Sequence, residues 1–201
     1  MAAWLRLLPL LALLLAACSR PPVPLGQTWA RDVTGAGYAR DFSLHDMNGQ
    51  PRTLADYRGK VVVMFFGYTH CPEVCPMTLY NLAQAMRSLG VRAQQVQVLF
   101  VTLDPRRDTP QVLREFVPAF NPAFVGLYGD AAATARTAAE YHVFYRQLPA
   151  DAQGNYFMDH SAFAYLYDKD GRLRLLMPFG ETVPQITHDL QQLLSVKQGS
   201  H

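Results

Sequence analysis

Cys71 and Cys75 stand in the stretch Thr69-His70-Cys71-Pro72-Glu73-Val74-Cys75-Pro76, directly after the apolar run Val61 to Phe66. That order places two thiols where a buried strand ends and a helix begins. The free N–H groups and the dipole at a helix start favour thiolate over thiol, so the pair is poised for metal binding or thiol exchange. The thiol-exchange motif usually has two intervening residues. With three, the loop has room for both sulfurs to converge on one soft ion, and copper(I) is the ion such sulfurs select.

The elements that must position these thiols can be read outward from them. Val61 to Phe66 is a continuous β-branched and aromatic run, as expected of a strand buried on both faces. Pro76 suits the first helical position, and Leu79, Leu82, Ala83, Met86 and Leu89 follow at helical spacing up to Gly90. Val96 to Leu103 reads as a second central strand. Gln111 to Phe120 reads as a helix introduced by Asp108-Thr109-Pro110, Val125 to Tyr128 as a short strand, and Ala131 to Tyr141 as an alanine-rich helix. Before the first central strand, Asn48-Gly49 sits between two short extended runs and signals a hairpin. After the last crossover, Ala162 to Tyr167 and Arg172 to Met177 flank Asp170-Gly171 and should pair antiparallel. An amphipathic helix from Val183 to Val196 closes the chain. The order implies an α/β protein, a thioredoxin-like sandwich with an added N-terminal β-hairpin and an inserted helix/hairpin region. The cysteine loop then falls at the carboxyl end of a central strand, the usual ligand edge of open α/β sheets.

Three domains of behaviour are expected along the chain. Residues 1–17 carry Arg6, an apolar run from Leu7 to Leu15 and the ending Leu15-Ala16-Ala17-Cys18, a secretory signal too short to span a bilayer. The ending resembles the lipobox of bacterial lipoproteins, which makes Cys18 the site of lipid attachment. Residues 18–37 are a proline-rich linker suited to a semi-rigid spacer. Residues 38–201 are long enough for one domain with a sizeable core. Of the three cysteines, removal of Cys18 leaves an even pair in an exported protein. Outside the cytoplasm thiols tend to oxidise, so Cys71 and Cys75 need either a reductant or a metal cap. A formal net charge of +2, with no basic run, argues against a nucleic-acid partner.

Three blocks carry a resemblance to a known family. They are Gly59 to Pro76, then Val101-Thr102-Leu103-Asp104-Pro105-Arg106-Arg107-Asp108-Thr109-Pro110, then Asp159-His160-Ser161-Ala162. Together they resemble the Sco/SenC family of copper-binding thioredoxin-fold proteins, over about Phe42 to Leu194. The resemblance implies one copper ion, as Cu(I) with Cu(II) as a further state, held by Cys71, Cys75 and His160. It also implies service to the dinuclear copper centre of cytochrome c oxidase. The implied partners are the apo copper subunit of that oxidase, a periplasmic thiol reductant or copper donor, and the membrane through the lipid on Cys18. The implied location is the bacterial cell envelope, facing the periplasm.

A separate route also reaches His160. In a thioredoxin-like sandwich the loop entering the Ala162 strand abuts the active-site loop, and where related oxidoreductases carry a proline this chain has none between Pro149 and Pro178. Two thiolates and one imidazole suit three-coordinate copper(I), although zinc accepts the same donors. The other reading of the cysteines is a redox-active disulfide, which makes the protein a thiol-disulfide oxidoreductase that keeps acceptor cysteines reduced. Asp159 is a candidate to orient the loop or the imidazole from behind, with a plain capping or turn role as the other reading. His70 is left to solvent or to support of the site, Met64 and Met86 to the core, and Met158 has no assigned role. Asp104, Arg107 and Asp108 read as a charged turn that fixes a loop and caps a helix.

Overall fold

The computed structural model describes residues 23–196. The signal segment and Cys18 lie outside the described residues. The chain forms an eight-stranded mixed sheet and, apart from it, a two-stranded ribbon. In chain order the strands are β1 (Arg31–Asp32), β2 (Leu44–Asp46), β3 (Pro51–Arg52), β4 (Val61–Gly67), β5 (Val96–Thr102), β6 (Val125–Tyr128), β7 (Tyr145–Gln147), β8 (Met158–His160), β9 (Phe163–Tyr167) and β10 (Leu173–Pro178). The helices are α1 (Val74–Leu89), α2 (Pro110–Phe116), α3 (Ala131–Glu140) and α4 (Val183–Ser195). Sheet order is β1-β10-β9-β4-β5-β6-β2-β3, with β7 and β8 forming the ribbon.

Every residue of β4 and β5 is buried, which is why β4 reads as an unbroken apolar run and β5 as one interrupted only by Gln97 and Thr102. The two strands pair in parallel from Val61↔Val96 to Gly67↔Thr102. Alternate β4 residues feed two cores. Val61, Val63 and Phe65 pack under α1, α2 and α4, whereas Val62, Met64 and Phe66 pack with Tyr141, Tyr165 and Tyr167 on the α3 side. Sandwiching β4 in this way fixes the direction in which its last residue leaves the sheet. This is the thioredoxin-like α/β sandwich expected from the sequence, with the added hairpin β2–β3 turning at Gly49 (φ 81°).

Three boundaries differ from expectation. Helix α1 starts at Val74, two residues before the expected position, because its first hydrogen bond runs from the Met77 amide to the Glu73 carbonyl. Pro76, within the first turn, has no N–H that the helix could use, so it does not disturb this start. Order also reaches N-terminal of residue 38. Strand β1 pairs with β10 through Arg31↔Leu176, and the buried Asp189 carboxylate of α4 accepts from the Trp29 and Ala30 amides. Helix α2 ends at Phe116 rather than Phe120, and its cap is Thr109, which accepts from the Val112 amide.

Glu181, between β10 and α4, is 8% exposed, and both of its carboxyl oxygens are buried without a hydrogen-bond partner among the described residues. Burial, helped by the charge of Asp189, pushes its pKa up to about 7. The folded state therefore holds this proton more tightly than the unfolded chain does. Stability from Glu181 is fully present below about pH 4.5 and is lost as pH rises toward 7, by at most about 3 kcal/mol. Glu181→Gln should match the parent at pH 4 and exceed it at pH 8 in urea denaturation. Equal stability at both values would rule out a buried, neutral-preferring carboxyl.

Candidate functional site

Cys71 lies in the loop leaving β4 and Cys75 in the first turn of α1, where it is fully buried while Cys71 is half-buried. Both are free thiols. The Cys75 amide donates to Cys71 Sγ at 3.4 Å, as expected of a sulfur seated at a helix start. A hydrogen bond from the Cys75 thiol pulls the Cys71 pKa down to about 4 against the opposing effect of burial. Cys75 moves the other way, its proton held by that same bond, by burial and by the nearby Cys71 charge. The pair thus shares one proton, with Cys71 as the thiolate.

His160 ends β8, with Nε2 3.9 Å from Cys75 Sγ. Its Nδ1 is 2.9 Å from the Ser161 carbonyl oxygen, which can only accept, so the hydrogen belongs on Nδ1. Nε2 then presents a lone pair to the sulfurs. Bond lengths near 2.3 Å to sulfur and 2.0–2.1 Å to nitrogen need a sulfur–nitrogen separation of about 3.6–3.8 Å in a trigonal or tetrahedral site. The observed separation is close to that. Among the described residues no group of His, Cys, Asp and Glu is already drawn together tightly enough to hold a metal ion. The Cys75–His160 pair would need only a small inward shift to share one ion.

The loop is anchored by Asp108, 1% exposed, which accepts from the Thr69 amide (3.0 Å), the Thr69 hydroxyl (2.6 Å) and the Thr102 hydroxyl (2.6 Å). Burial raises its pKa against these bonds. Its role is to tie the cysteine loop to the end of β5. Tyr68, 2% exposed, meets the imidazole edge-on at 5.8 Å. A groove of about 420 Å³ runs past Cys71 and His160, lined by Tyr68, Leu148, Phe157 and Met158. Met158 thus lines the site groove. Met64 and Met86 are core residues, as expected.

Asp159 does not orient the imidazole. Neighbours on a strand point to opposite faces, and Asp159 instead pairs across the ribbon with Arg146 at 3.0 Å. His70, exposed, keeps to Thr69 and the Asp108 carboxylate at 3.8 Å. Sequence reasoning missed the ribbon that carries His160, together with Tyr68 as its support. The turn from Asp151 to Asn155, with Gly154 at positive φ, was the available signal.

The chain resembles known proteins in sequence and in fold. The family model described as SCO1/SenC matches residues 31–195. A mouse protein named Protein SCO2 homolog, mitochondrial, is 42% identical over 133 residues, which is 65% of this chain and 52% of the mouse protein. The chain spans about half the length of such mammalian relatives. The structure of Bradyrhizobium japonicum ScoI with copper bound superposes with a TM-score of 0.70 at 37% identity, covering 76% of this chain and 97% of that one. Arabidopsis thaliana ScoI with copper bound gives 0.71 at 30% identity, covering 76% and 95%.

Gly67 ends β4 directly against the site. A Cβ there would lie 2.7 Å from Cys75 Sγ and 2.9 Å from the Phe100 ring. Gly67→Ala should cost about 1–3 kcal/mol through overpacking and make Cys75 more reactive toward an alkylating agent. Parent-like stability and thiol reactivity would contradict this close packing.

Proposed function

The chain belongs to the SCO1/SenC family, and from that premise we propose that it is a copper chaperone. It binds one copper ion through Cys71, Cys75 and His160 and serves assembly of the dinuclear copper centre of cytochrome c oxidase. The observation that carries this reading is the facing of Cys75 Sγ and His160 Nε2 at 3.9 Å, with Nδ1 already committed to Ser161. Copper is the cargo. Cys71, already a thiolate, makes the first bond, and Cys75 releases its proton as the second forms. The imidazole completes a three-coordinate set that suits copper(I) and leaves an open side toward the groove. An acceptor thiolate or imidazole on the apo copper subunit can then displace His160 while both sulfurs still hold the ion. A lipid on Cys18, after removal of residues 1–17, keeps donor and acceptor in one envelope compartment, with the proline-rich residues that follow Cys18 as the spacer and a periplasmic donor or reductant preparing the site.

A second reading is favoured by the free, unequally ionised thiols. As a thiol-disulfide oxidoreductase, Cys71 attacks an acceptor disulfide and releases one acceptor thiolate. Cys75 then attacks the mixed disulfide, leaving the acceptor fully reduced and Cys71–Cys75 oxidised until a periplasmic reductant restores it. His160 separates the two readings, since copper binding needs it and disulfide exchange does not.

The reduced protein should take up one copper with two sulfurs and one nitrogen by X-ray absorption, and His160→Ala should lose the nitrogen. A thousandfold excess of copper over its dissociation constant adds about 4 kcal/mol, roughly 8–16 °C in melting temperature. Normal copper loading in His160→Ala would sink the chaperone reading. No copper retention, with reversible Cys71–Cys75 oxidation instead, would transfer the assignment to the oxidoreductase.

A further inference from the structure

The nitrogen and the two sulfurs of the site sit on different substructures. Cys71 and Cys75 belong to the junction of β4 and α1, whereas His160 belongs to a ribbon whose strands pair only with each other. Within the ribbon the Ser161 amide bonds the Phe144 carbonyl and the Leu148 amide bonds the Phe157 carbonyl, contacts that hold it together without fixing it to the body. Phe144 and Phe157 are each 55% exposed. Something else must set the distance from His160 to the sulfurs.

Arg107 makes that connection. It lies in the turn between β5 and α2, its side chain only 19% exposed. Nη1 donates to the Tyr156 carbonyl, two residues before β8, at 2.9 Å. The guanidinium carbon lies 3.5 Å from the centroid of the Tyr156 ring. The Tyr156 hydroxyl donates to Asp104 Oδ1 at 3.0 Å, and Arg107 Nε bonds the other oxygen of the same carboxylate. Asp104, Arg107 and Tyr156 therefore close a triangle between the body and the ribbon. The guanidinium is also 5.8 Å from the ring of Tyr68, the residue that supports the imidazole. Asp108, next in sequence, holds Thr69 and with it the sulfur-bearing loop. One turn thus grips both halves of the site.

We propose that Arg107 is a positioning residue that holds the His160 imidazole at its station beside Cys75, a role that rests on the copper reading for its purpose. The planar guanidinium is what fits: it stacks on Tyr156 while its edge reaches a carbonyl and a carboxylate in different directions. A lysine ammonium at the same place keeps the charge but cannot do both.

The test uses Arg107→Lys and Tyr156→Phe in the full-length protein. In the metal-free state, amide hydrogen exchange over residues 145–160 should rise at least tenfold in Arg107→Lys while α1 keeps its protection. With copper, affinity should fall about 10- to 100-fold, the range for loss of a residue that orients a ligand. X-ray absorption should retain both sulfurs and lose or lengthen the nitrogen, and Tyr156→Phe should shift in the same direction by less. Unchanged ribbon exchange in Arg107→Lys, or parent-like affinity and coordination, overturns the proposal. If Arg107→Lys loses protection throughout, Tyr156→Phe decides by the same two readouts. Failure of the parent to bind copper through nitrogen defeats the chaperone reading, while the metal-free exchange still judges the clamp.

Discussion

The buried Asp108 carboxylate holds the site together. Three donors from the ends of β4 and β5 converge on it, and burial works against its charge, so the bonds must all be kept for the carboxylate to be tolerated there. The loop carrying Cys71 thereby inherits the rigidity of two strands buried on both faces. A cysteine loop without this anchor would still follow a strand, but its sulfurs would not have a fixed station relative to the histidine.

The same turn explains how a split site can be both defined and open. The sulfurs sit on the sheet and the first turn of a helix, where the Cys75 side chain is enclosed by Gly67 and Phe100. The nitrogen sits on a ribbon outside the main sheet, fixed mainly through Tyr156, Met158 and the aromatic contact with Tyr68. The two halves differ in how they are held, the sulfurs within the main sheet and its first helix and the nitrogen on a ribbon outside it. That asymmetry suits a site in which one donor yields before the others.

Much of this was legible in the sequence, for identifiable reasons. β4 and β5 were readable because burial on both faces leaves few polar positions, only Gln97 and Thr102, and Gly49 and Gly90 because turns and helix ends select such residues. The pairing of Cys71 and Cys75 with His160 was visible through the family resemblance and the expected loop order. The exact start of α1 was not, since a proline is tolerated throughout the first turn and marks no single position. Which way Asp159 points was not legible, because its direction depends on residues 158–160 being a strand, and a three-residue strand has no periodicity to detect. Arg107 and Asp108 were recognised as a charged turn, but their partners Tyr156 and Thr69 are far apart in the chain, and only tertiary structure joins them.

The described chain starts at the pole of the sheet opposite the thiols. The Val23 carbonyl oxygen is bonded by Arg174, a buried residue paired with Asp168 beside the β9–β10 turn, whereas Cys71 follows the far end of β4. Seven residues of extended strand separate those poles, about 23 Å at 3.3 Å per residue. A pull applied through the residues before Val23 is borne by the Arg174–Asp168 pair and the edge strand β1, away from the ribbon. The thiols therefore sit at the end of the sheet farthest from where such a load would enter, with the length of the β4–β5 pairing between.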